Sequence, residues 1–276
     1  MKKLKFLKYV GNKFKYLDLI KVELDKCDKN NLFVEPFLGS GTVLVNLGYE
    51  FKKCYGFDIN KPIIKLLNDF ATISFKDIQK FYDNEVCRYG DISKSKEAYY
   101  SFRNDVYNKK YFNTGTKEES IGLFYLMRSC INSMIRFGPN GFNQSYGNRC
   151  GDIYLTETML LDLQHSLNKA KIIYLDFFDI PNQIISSPGT TWFIDPPYFE
   201  RNVVGYKQSF SEEKTIKFLN VVKNIKGRVL YTNTDHKLND EILDGWRKIN
   251  IRNMRSISPN RSAESNNKVE VMYCNF

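Results

Sequence analysis

Apolar positions along the 276-residue chain fall into short runs closed by turn residues, alternating with stretches of helical spacing. Leu32-Phe33-Val34-Glu35-Pro36-Phe37-Leu38-Gly39-Ser40-Gly41-Thr42 reads as a short apolar strand and a glycine turn, with helical text following through Asn46. Cys54-Tyr55-Gly56-Phe57-Asp58-Ile59-Asn60 is a second strand ending in an acid, and a helix is predicted from residue 62 to about 70. Together these make a βαβ unit. The rhythm returns later, with strands predicted at 171–175, 191–194 and 227–232, a helix at 211–222, and late strands at 249–255 and 269–273.

Residues 74–155 interrupt this rhythm with aromatic-rich helical text, including Ala98-Tyr99-Tyr100-Ser101-Phe102-Arg103 and Ile121-Gly122-Leu123-Phe124-Tyr125-Leu126-Met127. Leu123, Leu126 and Met127 recur at helical spacing and are predicted core. Residues 132–148 are polar and rich in Gly and Asn, and Gly138-Pro139-Asn140-Gly141 is a strong turn signal of the hairpin type. The pattern therefore predicts an α/β fold: a Rossmann-like core from residues 1–73 and 156–276, split by an inserted, mainly helical module at 74–155 bearing a β-hairpin.

Composition narrows the partners. With 42% hydrophobic and 15% aromatic residues the chain is globular rather than disordered. Lys+Arg 41 against Asp+Glu 31 leaves a formal charge of +10, spread along the chain rather than confined to one tail. Such a balance favours polyanions, with nucleic acid first, although a basic protein from a lysine-rich proteome gives the same sum. Six cysteines, at 27, 54, 87, 130, 150 and 274, form no C-x-x-C pair, and two histidines, His165 and His236, offer little to a metal or a triad. No metal is expected. The basic start lacks an apolar core and no run is long enough to span a membrane, so a cytoplasmic protein is expected.

Candidate chemistry sits where strands end. Thr191-Trp192-Phe193-Ile194 runs into Asp195-Pro196-Pro197-Tyr198, and neither proline can continue a sheet ladder. A carboxylate, a proline carbonyl and an aromatic face can hold an exocyclic amine and stack a base; the same residues can also form a stiff exit loop. Gly39 lets a ligand approach the backbone, and Asp58 stands at the spacing of an acid that binds ribose hydroxyls. A plain strand-to-helix turn is the alternative for that glycine.

The order of these pieces resembles the DNA adenine methyltransferase (Dam) family of S-adenosylmethionine-dependent enzymes. Four segments carry the resemblance: Phe6-Leu7-Lys8-Tyr9-Val10-Gly11-Asn12-Lys13, the glycine-rich run from Val34 to Thr42, Asp195 to Tyr198, and Met254-Arg255-Ser256-Ile257-Ser258 with Lys268-Val269-Glu270. It implies a methyltransferase sheet, with S-adenosylmethionine as cofactor and S-adenosylhomocysteine as product. Tyr9, Gly11, Lys13, Glu35, Pro36, Gly39, Ser40, Gly41, Thr42, Asp58, Ile59, Phe178 and Asp195 fall in the cofactor set. Asp195, Pro196, Pro197 and Tyr198 would grip a flipped adenine for methylation at N6.

The same resemblance makes 74–155 the target-recognition domain for double-stranded DNA, drawing on Lys8, Arg103, Asn132, Met134, Arg136, Asn140, Asn143 and Arg149. It places Asn132 near the orphaned base and Arg136 on a guanine; Arg103 and Arg149 would meet phosphates. It also implies GATC as the target. Methylation of cytosine N4 or of an RNA adenine, and DNA binding without turnover, are the alternatives. Base-flipping enzymes can act as monomers, and nothing in the sequence sets the oligomeric state. Two departures from the family pattern stand out: Gly11-Asn12-Lys13 where G-G-K is usual, and Phe142-Asn143-Gln144-Ser145-Tyr146-Gly147 where F-N-x-P-[FY]-G is usual.

Overall fold

The computed structural model describes residues 3–7, 9, 11–148, 154–198, 211–254 and 268–276; for 252–254 and 268 only the backbone is described. Strands are β1 (Leu32–Glu35), β2 (Lys53–Asp58), β3 (Phe137–Gly138), β4 (Gly141–Phe142), β5 (Ala170–Tyr174), β6 (Thr190–Ile194), β7 (Arg228–Thr234), β8 (Arg247–Met254) and β9 (Lys268–Cys274). Helices are α1 (Leu17–Leu24), α2 (Thr42–Asn46), α3 (Lys61–Phe70), α4 (Phe75–Phe81), α5 (Lys96–Ser101), α6 (Lys117–Ser129), α7 (Glu157–Leu167), α8 (Asn182–Ile185), α9 (Glu212–Lys223) and α10 (Lys237–Ile242). The chain divides into two compact units: 1–14, 39–46 and 60–174 form the first, and 15–38, 47–59 and 175–276 the second.

The second unit holds six strands of one sheet, in the order β2-β1-β6-β7-β9-β8. β2, β1, β6 and β7 run parallel; β9 pairs antiparallel with β7, and β8, at the edge, antiparallel with β9. This is the α/β class expected from the strand–helix alternation. The parallel strands read as continuous apolar runs because both faces are covered: all five residues of β6 are buried, and Val34, Phe57, Trp192, Ile194, Val229 and Tyr231 share one core with Phe218, Leu219 and Val222 of α9. The Ser211 side chain accepts from Lys214 N at 3.2 Å to start α9. Burial pushes the Cys274 thiol up to about 12, so it stays protonated and unreactive.

The first unit is held by rings. Phe6, Phe70 and Phe124 meet with centroids 5.1–5.3 Å apart, and the predicted core positions Leu123, Leu126 and Met127 of α6 are buried. Ser74, Ser95, Thr116 and Thr156 cap α4, α5, α6 and α7 by accepting from a backbone N–H three residues on. α4 and α5 each run on into wider π-type turns, over 82–86 and 102–111. β3 and β4 form the expected hairpin, pairing Phe137 with Phe142 and Gly138 with Gly141 around Pro139-Asn140.

Candidate active site and nucleic-acid interface

In the second unit, sequence order reverses between β1 and β6: the chain goes from β1 to β2 on one side and later returns to β6 on the other. In an open parallel sheet such a reversal leaves a crevice at the carboxyl ends of the strands, the usual ligand position. Three acids end the strands there: Glu35 on β1, Asp58 on β2 and Asp195 just after β6. Glu35 is 3% exposed and Pro36 is buried, while Asp58 is half-buried and its neighbour Ile59 is 52% exposed. Leu38 N donates to Phe57 O at 2.9 Å and Leu175 N to Asp58 O at 3.1 Å, which fixes the loops after β1 and before Phe178 to β2. Phe178 is half-buried, with Lys214 and Lys217 ammonium groups 5.8 and 5.1 Å from its ring.

Asp195 is half-buried and Pro196 buried. Thr232 Oγ1, on neighbouring β7, donates to Asp195 Oδ1 at 2.8 Å. The Tyr198 hydroxyl donates to Glu270 Oε1 on β9. Beneath them Asn233 Nδ2 donates to the Tyr231 hydroxyl at 2.7 Å, and that hydroxyl bonds Asn239 Oδ1 at 3.2 Å. Burial pushes the Tyr231 phenol well above its ordinary range, so it remains a neutral donor.

In the first unit the N-terminal motif and the glycine turn meet. The Tyr9 ring lies against Gly39, where a Cβ would come within 3.3 Å of it, and Gly39 has φ +48°, a conformation that favours glycine. Asn60 Nδ2 donates to the Tyr9 hydroxyl at 3.1 Å. Gly41 also has positive φ, and the buried Ser40 hydroxyl bonds that of Thr42 at 2.8 Å. Asn12, at the first departure from the family pattern, donates to Ser40 Oγ at 3.2 Å, Thr42 Oγ1 at 2.7 Å and Leu7 O at 3.1 Å, tying the N-terminal motif to the turn. Gly11 has φ +77°, and Lys13, only 3% exposed, donates to Gly11 O at 3.1 Å.

The hairpin region gathers most of the expected DNA-reading residues. Asn132 is exposed and held at φ 55°, ψ 13°, a left-handed conformation that asparagine tolerates better than most side chains. Met134 is half-buried; Arg136, Asn140 and Asn143 are exposed. Arg136 donates through Nε to Asn143 Oδ1 at 2.7 Å and through Nη2 to Asn143 O at 2.9 Å. Arg103 stacks on Tyr100, 4.6 Å from the ring centre, and donates to Gln144 O at 2.9 Å and Asn104 Oδ1 at 2.9 Å. The loop at the second departure keeps its place without the usual proline: Gly147 N donates to Ser129 O, Ile131 N to Ser145 O, and the Tyr146 hydroxyl to Ser93 O.

Lys8 and Arg149 lie outside the described residues, as do Arg255 to Ser258 of the C-terminal motif. Sequence reasoning missed Thr232, Asn60 and Asn12 as support for the motif residues, and saw Glu270 only as part of a strand. The available signal was a polar residue at the end of a strand or turn next to a motif. Among the described residues no cluster of His, Cys, Asp and Glu could hold a metal ion, and no helix is long and apolar enough to cross a membrane.

Comparison with known proteins identifies the family. The family model for D12 class N6 adenine-specific DNA methyltransferase matches residues 9–257. A DNA adenine methylase of Haemophilus influenzae is 28% identical over 275 residues, covering 92% of this chain and 88% of that protein. The DNA adenine methylase of Escherichia coli K12 is 27% identical over 266 residues, covering 92% and 89%. A DNA N-6-adenine-methyltransferase of Escherichia phage P1 is 25% identical over 239 residues, covering 82% of this chain and 29% of the phage protein.

Proposed function

The chain belongs to the D12 class of N6 adenine-specific DNA methyltransferases, and from that premise we propose that Asp195, Pro196, Pro197 and Tyr198 hold a flipped-out adenine of duplex DNA for methyl transfer from S-adenosylmethionine. The class methylates adenine in DNA with a methyl donor of this type. When bound, S-adenosylmethionine would supply an activated methyl group on its sulfonium, with S-adenosylhomocysteine as the product. The residues of each unit suit parts of that cofactor: in the second, Asp58 suits a ribose diol and exposed Ile59 and half-buried Phe178 offer apolar cover for a purine; in the first, Tyr9 packs on the glycine turn at Gly39. Gly11, Lys13, Glu35, Pro36, Ser40, Gly41 and Thr42 complete the proposed cofactor set.

The protein's own task is positioning. An adenine amine conjugated with its ring is a poor nucleophile, and two acceptors placed to take its hydrogens draw the lone pair toward the incoming methyl group. Asp195 and the Pro196 carbonyl are those acceptors, and Tyr198 stacks the extruded ring. This is electrostatic preorganisation without a covalent enzyme intermediate. The observation that carries the reading is Asp195 at the carboxyl end of β6, beside the strand-order reversal and already oriented by Thr232.

Residues 74–155 form the proposed target-recognition domain. Arg136 pairs with guanine, Asn132 and Met134 approach the space left by the flipped base, and Asn140, Asn143 and Arg103 contact the backbone. GATC is the first target to test, and the cytoplasm of a prokaryotic or phage-infected cell is the proposed place of action. Labelled S-adenosylmethionine and duplex DNA should yield N6-methyladenine, and sequencing the methylated DNA gives the target. Asp195→Ala is expected to lose turnover by at least a hundredfold while keeping DNA binding, in the range seen when a positioned polar group is removed. Near-native turnover in that variant refutes the assignment.

A further inference from the structure

Behind the Asp195-Pro196-Pro197-Tyr198 segment stands a buried polar row. β7 ends in Tyr231-Thr232-Asn233-Thr234, all buried, and β9 pairs Glu270 opposite Thr234 and Met272 opposite Thr232. Directly opposed antiparallel residues share a face, and so do residues two apart, so Thr232, Thr234, Met272 and Glu270 lie on one side of the sheet. From that side Thr232 reaches Asp195 and Glu270 reaches Tyr198. One face of two strands therefore supports both ends of the segment.

Glu270 is unusual material for this place. It is 2% exposed, and a carboxylate so far from water is heavily penalised without hydrogen-bond partners. Stacking a base requires only a flat ring, which phenylalanine would also supply. Here the ring carries a hydroxyl that donates to the buried carboxylate. Pro196 and Pro197 fix the backbone at the near end of the segment, since each has a locked φ, and the hydroxyl fixes the far end of the ring.

We infer that Glu270 is a positioning residue which, through the Tyr198 hydroxyl, sets the plane against which the extruded adenine stacks. The inference rests on the proposed stacking role of Tyr198. A ring tethered at both ends keeps one orientation before the base arrives, so less rotamer freedom is lost on stacking and the amine is delivered toward Asp195.

The test uses the full-length enzyme and duplex DNA, with thermal unfolding recorded for every variant. Tyr198→Phe keeps the ring and removes the tether; Glu270→Ala removes its anchor; Glu270→Gln keeps an acceptor oxygen. A hydrogen bond to a charged group predicts that Tyr198→Phe and Glu270→Ala each lower kcat by about tenfold or more, with cofactor affinity unchanged. The double variant should be no slower than the slower single one, and Glu270→Gln should recover most of the rate. With 2-aminopurine at the target position, both damaging variants should leave the flipped base more fluorescent than the native enzyme does, because it stacks less well.

Native kcat in Tyr198→Phe, or losses that multiply in the double variant, overturn the inference. If Glu270→Ala does not fold, Tyr198→Phe decides alone. Tyr198→Ala separates the two levels: native turnover there refutes the stacking role itself, whereas loss in Tyr198→Ala with native turnover in Tyr198→Phe refutes only the part played by Glu270.

Discussion

Arg136 shows what a single side chain can carry. Its Nε and one Nη are engaged by Asn143, two of the five N–H donors of a guanidinium, and this bidentate brace fixes the plane of the group while leaving donors for a base edge. Arg136→Ala is therefore expected to cost about 1–3 kcal/mol of discrimination at one base pair. Methylation rates on duplexes substituted position by position will show it as a relaxed preference confined to that position; a uniform loss across all duplexes contradicts base reading. Lysine cannot reproduce the fork, so Arg136→Lys should resemble alanine. The brace was not legible in the sequence, although both of its residues were singled out. The strand-end positions of Asp195 and Asp58 were legible because each closes a short apolar run and strand periodicity announces such runs, whereas Glu35 entered only through the family resemblance. Their supports were not, because Thr232 lies 37 residues from Asp195, Glu270 lies 72 from Tyr198, and Asn60 lies 51 from Tyr9. Only the fold brings such pairs together.

At the scale of elements, the hairpin β3–β4 depends on a residue outside it. Asn108, in the π-type turns after α5, donates to Phe142 O at 3.0 Å and accepts from Phe142 N at 2.8 Å, acting as a one-residue strand against β4. Gly141 has φ +104°, and a Cβ there would lie 2.4 Å from Asn108 Oδ1. Gly141→Ala thus meets strain and collision together, and Asn108→Ala strands two buried backbone groups at about 1–3 kcal/mol of desolvation. Both variants should weaken binding to target duplex while β1, β2, β6 and β7 keep their protection. Hydrogen exchange will resolve this, with faster exchange expected at 137–147 and native protection in those strands; loss of protection throughout argues against a local role. The hairpin itself was visible in Gly138-Pro139-Asn140-Gly141, and the strands in their apolar runs, which reappear within two residues of their expected limits. The continuation of α4 and α5 into π-type turns was not visible. A wide turn depends on what packs against the helix, and residues that favour it carry no mark in spacing alone.

For the whole molecule, the positive balance makes a prediction that contact geometry alone does not. A net charge of +10 distributed along the chain means that part of the DNA affinity comes from released counterions, and that part is sequence-independent. If about five phosphates are neutralised, the log–log salt slope is about −4.5 and affinity falls by roughly 500-fold between 50 and 200 mM salt. Titrations of a non-target duplex should give a similar slope with lower affinity at every salt concentration, since only base contacts are lost. The slope also separates roles among the arginines. Arg136→Ala should lower affinity for the target duplex and leave the slope unchanged, as expected of a group that meets a base. Arg103 spends Nε and Nη1 on Asn104 and Gln144, which leaves three N–H donors for the proposed phosphate contact. Arg103→Ala should therefore flatten the slope by about 1 and weaken target and non-target duplexes alike. An unchanged slope with a lower unfolding temperature makes Arg103 a brace for the loop at Gln144 and removes it from the DNA-contacting set.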